Sequence, residues 1–102
     1  MEINISQENG MLVVTLIGEL DEHSAEFVRN AVDSRLVDAD YTALVFDLSR
    51  LCFMDSTGIG VIIGRYKLAH RRGKAVYVRA PGVTVDKIFK MSGLYEIIGK
   101  IA

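Results

Sequence analysis

Tryptophan is absent from this chain, and cysteine and proline each occur once among its 102 residues. A single thiol, Cys52, can close no internal disulfide, and no Cys, His and carboxylate residues fall at the spacing of a zinc site. Cys52 stands between Leu51 and Phe53 and reads as a small apolar core residue, the usual situation of a free cysteine. The lone proline, Pro81, sits in the turn-like run Arg79-Ala80-Pro81-Gly82, so there is no proline-rich linker. Charge of one sign is lacking too: 12 basic against 13 acidic residues leave a net charge of −1. That balance argues against gripping a phosphate backbone, and no nucleic-acid partner is expected. No apolar run approaches the ~20 residues that cross a bilayer. Met1-Glu2-Ile3-Asn4 does not open a basic-then-apolar leader. The expectation is a cytoplasmic protein with no membrane partner.

Half of the residues are hydrophobic and a quarter charged, the composition of a water-soluble globular fold. The length suits one domain over residues 1–102. Roughly two-thirds of the unfolded chain's surface can be buried at this size, so a core forms without disulfide or metal staples.

Period-two and period-3.6 patterns alternate along the chain. Ile3 and Ile5 mark a first strand, Gln7-Glu8-Asn9-Gly10 a turn, and Met11 to Ile17 a second strand, together an antiparallel hairpin. Gly18-Glu19-Leu20-Asp21 is expected to break that strand, with Asp21 as the N-cap of a helix. Ala25, Val28, Val32 and Leu36 form the apolar stripe of that helix, and Asp38-Ala39-Asp40 ends it. Ala43 to Leu48 is a short, almost wholly apolar run of the kind that forms a covered central strand. A second helix is expected over Ser56 to Arg72, with Ile59, Ile62, Ile63, Tyr66 and Ala69 at helical spacing and Gly73 at its C′ position. Lys74 to Arg79 reads as a strand, and Gly82 to Met91 as a third helix with Val85, Ile88 and Phe89 inward and Gly93 as its cap. Leu94 to Ile101 is apolar and too short to assign. The order β-β-α-β-α-β-α calls for an α/β fold in which parallel strands are joined by right-handed crossovers.

Chemistry concentrates in Phe53-Met54-Asp55-Ser56-Thr57-Gly58-Ile59-Gly60. This run follows a strand and opens a helix, the end of a parallel sheet where ligands and partners gather. A helix start offers unpaired amides and partial positive charge, so an anion on Ser56 or Thr57 is tolerated there. Gly58 and Gly60 allow close backbone approach, yet each costs the helix about 1 kcal/mol. Ser56 reads either as a plain N-cap or as a modifiable hydroxyl, and the two are compatible. Asp55 is a second capping candidate or a group that aligns the Ser56 hydroxyl.

Enzyme motifs do not fit. The run is neither Gly-x-Ser-x-Gly nor a P-loop. His23 and His70 could in principle serve Ser56 as a base, but both read as solvated surface histidines. Arg65, Lys67, Arg71, Arg72 and Lys74 read most simply as a solvated helix face, with a partner-binding patch as the alternative.

Four stretches carry a likeness over nearly the whole chain: Gly18-Glu19-Leu20-Asp21, Phe53 to Ile62, Gly64-Arg65-Tyr66-Lys67 and Met91-Ser92-Gly93-Leu94. In register, they resemble the STAS-domain anti-sigma factor antagonists, above all the sporulation type. The resemblance implies a mixed sheet of four to five strands, an N-terminal hairpin followed by parallel β-α units, packed with helices. It implies a non-enzymatic switch with no cofactor and no metal of its own. Unphosphorylated, such a protein binds an anti-sigma factor that is itself a serine kinase carrying ATP or ADP, and so frees a sigma factor. Phosphorylation at the position of Ser56 ends that binding, and a serine phosphatase restores it. The partner-contacting residues carried over are Asp21, His23, Asp55, Ser56, Thr57 and Gly58. Thr57 stands where close relatives can carry Ser, and relatives commonly continue into a further helix beyond the position of Ala102. The alternatives are a STAS module of another type, such as a stress-response scaffold or transport-complex subunit, and, less in keeping with the motifs, a small serine hydrolase using Ser56.

Overall fold

Asn9 and Gly10 both hold positive φ, 53° and 80°, the backbone of a two-residue hairpin turn whose twist matches its strands. They join β1 (Glu2–Glu8) to β2 (Met11–Leu20), antiparallel, with Glu8 opposite Met11. The computed structural model describes residues 1–38 and 40–101. Ala39, within the expected end of the first helix, and Ala102 lie outside the described residues.

β2 is longer than its apolar run suggests. It passes through Gly18 and Glu19, where the register shifts, and ends at Leu20. Gly18 takes φ 117° there, a backbone open to glycine and rarely to other residues. The expected strand break is therefore a bulge. The first half of β2 pairs in parallel with β3 (Ala43–Asp47), and its last residues pair in parallel with β4 (Leu51–Met54). Between those two strands Asp47 Oδ1 accepts from Ser49 N–H at 3.0 Å and Ser49 O–H at 2.7 Å, a side-chain-closed turn. β5 (Ala75–Arg79) lies beside β3, and β6 (Gly99–Ile101) beside β5, both parallel. The sheet order is β1-β2-β3-β5-β6, with β4 paired to β2. Among the described residues six strands thus replace the four to five expected, because β4 and β6 are too short to register as periodic segments.

Helices α1 (Ala25–Asp38), α2 (Ser56–Arg71) and α3 (Val83–Ser92) follow, and a single 3-10 turn spans Leu94–Glu96. Gly73 and Gly93, at φ 75° and 79°, end α2 and α3 in the left-handed conformation that helix ends favour. The α1 stripe Ala25, Val28, Val32 and Leu36 is buried against the sheet residues Leu12, Val14, Leu16, Leu44, Phe46, Val76 and Val78. Among the described residues no helix is long and apolar enough to cross a membrane.

Two expectations are corrected. Cys52 is exposed, not buried; β4 is four residues long, and both its middle residues, Cys52 and Phe53, remain exposed. Arg65 is not part of a solvated face. It lies on the buried α2 stripe with Gly58, Val61, Ile62 and Ala69, while Ile59, Ile63 and Tyr66 flank that stripe half-buried. Its Nε sits 2.8 Å from Asp33 Oδ1 on α1. The N–H is poorly aligned for a hydrogen bond, so the contact holds chiefly as an ion pair. Burial pushes the Arg65 pKa down and Asp33 pulls it back up, yet a guanidinium stays charged throughout.

Asp86 ties α3 to the chain's end. Its carboxylate accepts from the Tyr95 hydroxyl, from Lys90 Nζ at 3.0 Å and from Lys100 Nζ at 3.1 Å. The Tyr95 hydroxyl foremost, then the two ammonium groups, hold the Asp86 carboxyl well below the usual range. A depressed folded-state pKa contributes stability that is fully present above the unfolded value of about 3.9 and is lost as pH falls below it. Urea midpoints of the wild type should therefore drop steeply from about pH 5 to pH 2. Asp86→Asn should lower the neutral-pH midpoint and flatten that acid limb; an unchanged acid slope would show that Asp86 is not the group responsible.

Candidate functional site

The chain leaves β4 at Met54 and enters α2 two residues later. Asp55 is extended, with φ −100° and ψ −170°, and its Oδ1 accepts the Gly58 N–H at 2.9 Å. Its carbonyl accepts the Ile59 N–H at 2.9 Å. Asp55 is therefore the N-cap, and Ser56, one of the two capping candidates, is the first helical residue. The Ser56 hydroxyl is left exposed and free of capping work. The first amides of α2 and its partial positive charge lie beside it. Thr57 is half-buried and Gly58 fully buried.

Gly58 is buried for a reason. A Cβ there would lie 2.1 Å from the Leu20 carbonyl oxygen and 3.0 Å from Met54 Cβ. The same carbonyl accepts the Asp55 N–H at 3.3 Å, and Leu20 pairs with Met54 across β2 and β4. The start of α2 thus rests on the last residue of β2, and Asp21, the next residue, is brought beside it. Gly60 is different: nothing lies within 4 Å of a Cβ there, so the close approach expected of it does not occur.

Asp21 caps one turn ahead of α1. Its Oδ1 accepts from the His23 and Ser24 amides at 3.0 and 3.1 Å, and its carbonyl accepts the Ala25 N–H at 2.9 Å. Burial pushes the Asp21 pKa up, but the Ser24 and His23 amides and the His23 ring outweigh it and hold the carboxyl below its ordinary value. Asp21 is a carboxylate at neutral pH. Ser24 fixes this turn from beneath: its hydroxyl donates to the Glu19 carbonyl at 2.8 Å and accepts the Asp21 N–H at 3.0 Å. The sequence reading missed Ser24; the Asp-x-x-Ser spacing after a strand was its only signal.

His23 is exposed and lines an open concavity with Asp21 that does not include Ser56. It stands on the β2–α1 side of the site. His70 lies near the far end of α2, stacked on Tyr66 at 5.4 Å between ring centres, about 21 Å along the helix from Ser56 at 1.5 Å per residue. Among the described residues no histidine or carboxylate hydrogen-bonds the Ser56 hydroxyl. The arrangement is an exposed hydroxyl on the positive end of a helix, with the Asp55 carboxylate on the preceding residue and the Asp21 turn on the adjoining end of β2. It can carry a negative group and alter its charge without a rearrangement of the core.

The two glycines give a paired expectation. Gly58→Ala should cost about 1–3 kcal/mol of stability, the range for overpacking a closed contact. Gly60→Ala should stabilise by up to about 1 kcal/mol through helix propensity alone. Denaturant melts of both variants check this, and equal effects would contradict the contact.

The STAS domain family matches residues 2–102 of this chain. An anti-sigma F factor antagonist of Paenibacillus polymyxa is 38% identical over 98 residues, covering 96% of this chain and 84% of that protein. The solved structure of the anti-sigma factor antagonist SpoIIAA in its unphosphorylated form superposes with a TM-score of 0.82 at 27% identity, over 99% of this chain and 89% of that one. The Bacillus cell fate determinant SpoIIAA in its phosphorylated form gives a TM-score of 0.74 at 26% identity, over 99% and 92%. With its fold, its capped helix start and these likenesses, the chain belongs to the STAS domain family, among the anti-sigma factor antagonists.

Proposed function

We propose that this protein is a cytoplasmic switch that antagonises an anti-sigma factor, and that the switch is the phosphorylation of Ser56. Unphosphorylated, it docks on an anti-sigma factor that is also an ATP-dependent serine kinase, and the sigma factor held there is freed for sporulation transcription. Phosphorylation ends the docking, and a serine phosphatase restores it. Asp21, His23, Asp55, Ser56 and Thr57 form the contact surface; Gly58, expected among them, is buried against the Leu20 carbonyl and acts by seating the helix start beneath that surface, and the chain itself catalyses nothing.

The observation that carries this reading is the division of labour at the start of α2. Asp55 caps the helix through Gly58 N–H, so the Ser56 hydroxyl can be modified without removing a cap. A phosphate adds about −1.5 to −2 charge and three strong acceptors. The helix dipole offsets part of that charge, by ~0.3–1 kcal/mol at an exposed site. The carboxylate of the preceding residue, Asp55, opposes it. The fold tolerates the group, whereas an interface that must bury an unpaired dianion does not. SpoIIAA, solved in a phosphorylated and an unphosphorylated form, keeps in both the fold seen here.

Ser56→Ala should bind the anti-sigma factor kinase constitutively. Ser56→Asp should bind at least about a hundredfold more weakly, which needs only ~2.7 kcal/mol. Incubation of the wild type with ATP and that kinase should place a single phosphate on Ser56 by mass mapping. Equal affinities of the two variants in a titration, or a phosphate found elsewhere, would remove Ser56 as the switch.

A further inference from the structure

The chain has four phenylalanines, and they divide evenly. Phe46 and Phe89 are fully buried, whereas Phe27 is 55% and Phe53 43% exposed. A solitary exposed ring needs no explanation. Two exposed rings beside one candidate site form a pattern that interaction surfaces favour. Phe53 stands opposite Glu19 in the β2–β4 pairing, two residues before the Asp55 cap. Phe27, in the first turn of α1, lines an open concavity of about 540 Å³ with Gly18, Glu19, Asp21, His23 and Ser24. Glu19 links the two segments: it is the register partner of Phe53 and lines the concavity with Phe27. The bulge at Gly18 shapes this hollow, and the Ser24 hydroxyl fixes its floor through the Glu19 carbonyl.

Acidic residues predominate on the two segments that carry these rings. Glu19, Glu22 and Glu26 are exposed and Asp21 and Asp55 half-buried; the cations near them are His23 and the Met1 amino group, which line the same concavity, and the exposed Arg50, whose carbonyl accepts the Gly18 N–H. Aromatic side chains in a charged ring are the usual composition of an energetic centre in a protein–protein contact.

We propose that Phe27 and Phe53 are the apolar anchors by which the anti-sigma factor kinase docks, and that the kinase receives them in an apolar hollow bordered by lysine or arginine side chains. This rests on the reading that the start of α2 is the kinase's docking surface; it adds the residues that supply the affinity and the chemistry of the opposite face. The acidic rim steers the encounter, so docking weakens as salt screens it. The Ser56 phosphate then acts at short range, as a dianion without a partner inside a contact that the rings keep dry, and not by reversing the long-range attraction.

The test is a binding series on the purified anti-sigma factor kinase with ADP, using the whole chain. Phe27→Ala and Phe53→Ala should each weaken binding at least tenfold, mainly by faster dissociation. Phe27→Lys should weaken it further by placing a cation against the basic border. Val37→Ala, at an exposed apolar residue about 15 Å further along α1, should bind within twofold of the wild type. Because all three sites are exposed, thermal melts should be unchanged and will separate a lost anchor from a lost fold. If the wild type binds and both phenylalanine variants bind within twofold of it, the anchors are refuted while the switch stands. If the wild type does not bind the kinase at all, the docking reading falls and the anchors with it.

Discussion

The Leu20 carbonyl receives the Asp55 N–H on one side and the bare Cα of Gly58 on the other. That contact closes the end of β2 on the start of α2 with no room for a methyl group. Everything at the site follows from it. It sets where α2 begins, and so makes Asp55 rather than Ser56 the cap. It brings Asp21 beside the helix start, where Ser24 and the Glu19 carbonyl then hold the turn. A buried polar contact of this kind is rigid because each group left unpaired would cost about 1–3 kcal/mol. The exposed hydroxyl is thus displayed on a frame that does not yield when its charge changes.

The rest of the molecule supports that frame from a distance. β2 acts as a spine: its first half carries β3, its last residues carry β4, and the hairpin partner β1 runs along it. The Arg65–Asp33 pair links α2 to α1 where both helices face each other. Arg65 is buried while Asp33 is partly open to solvent, so the pair adds little net stability, yet removing Asp33 would leave a buried guanidinium without its counter-charge. Such a pair is better at fixing the relative position of two helices than at holding the fold together.

Much of this was legible in the residues. Asn9-Gly10 announced the hairpin because few other pairs accept two positive φ angles in succession. The α1 stripe showed in full, since its apolar residues recur at helical spacing without interruption. The chemistry-bearing loop also showed, because capping residues and glycines crowd the junction of strand and helix. The strands β4 and β6 did not show, at four and three residues; such lengths carry no period. Arg65 looked solvated because its charge outweighed its place on the buried stripe, and the carboxylate that makes burial tolerable belongs to another helix. Between Asp55 and Ser56, two good caps side by side, local sequence held no deciding signal. The choice is made by the pairing of Leu20 with Met54, a long-range contact. The exposure of Cys52 and Phe53 has the same cause: it follows from a strand too short to carry a period.

A rigid scaffold with one changeable charge has a spectroscopic signature. Amide spectra of the protein before and after stoichiometric phosphorylation of Ser56 measure it directly. The expected result is a set of shifts confined to about residues 20–24 and 53–60, the two segments joined at the Leu20 carbonyl, with the amides of β3 and β5 unmoved. Shifts spread through the core strands would show that the phosphate acts by refolding the domain, and would contradict a switch built on local charge.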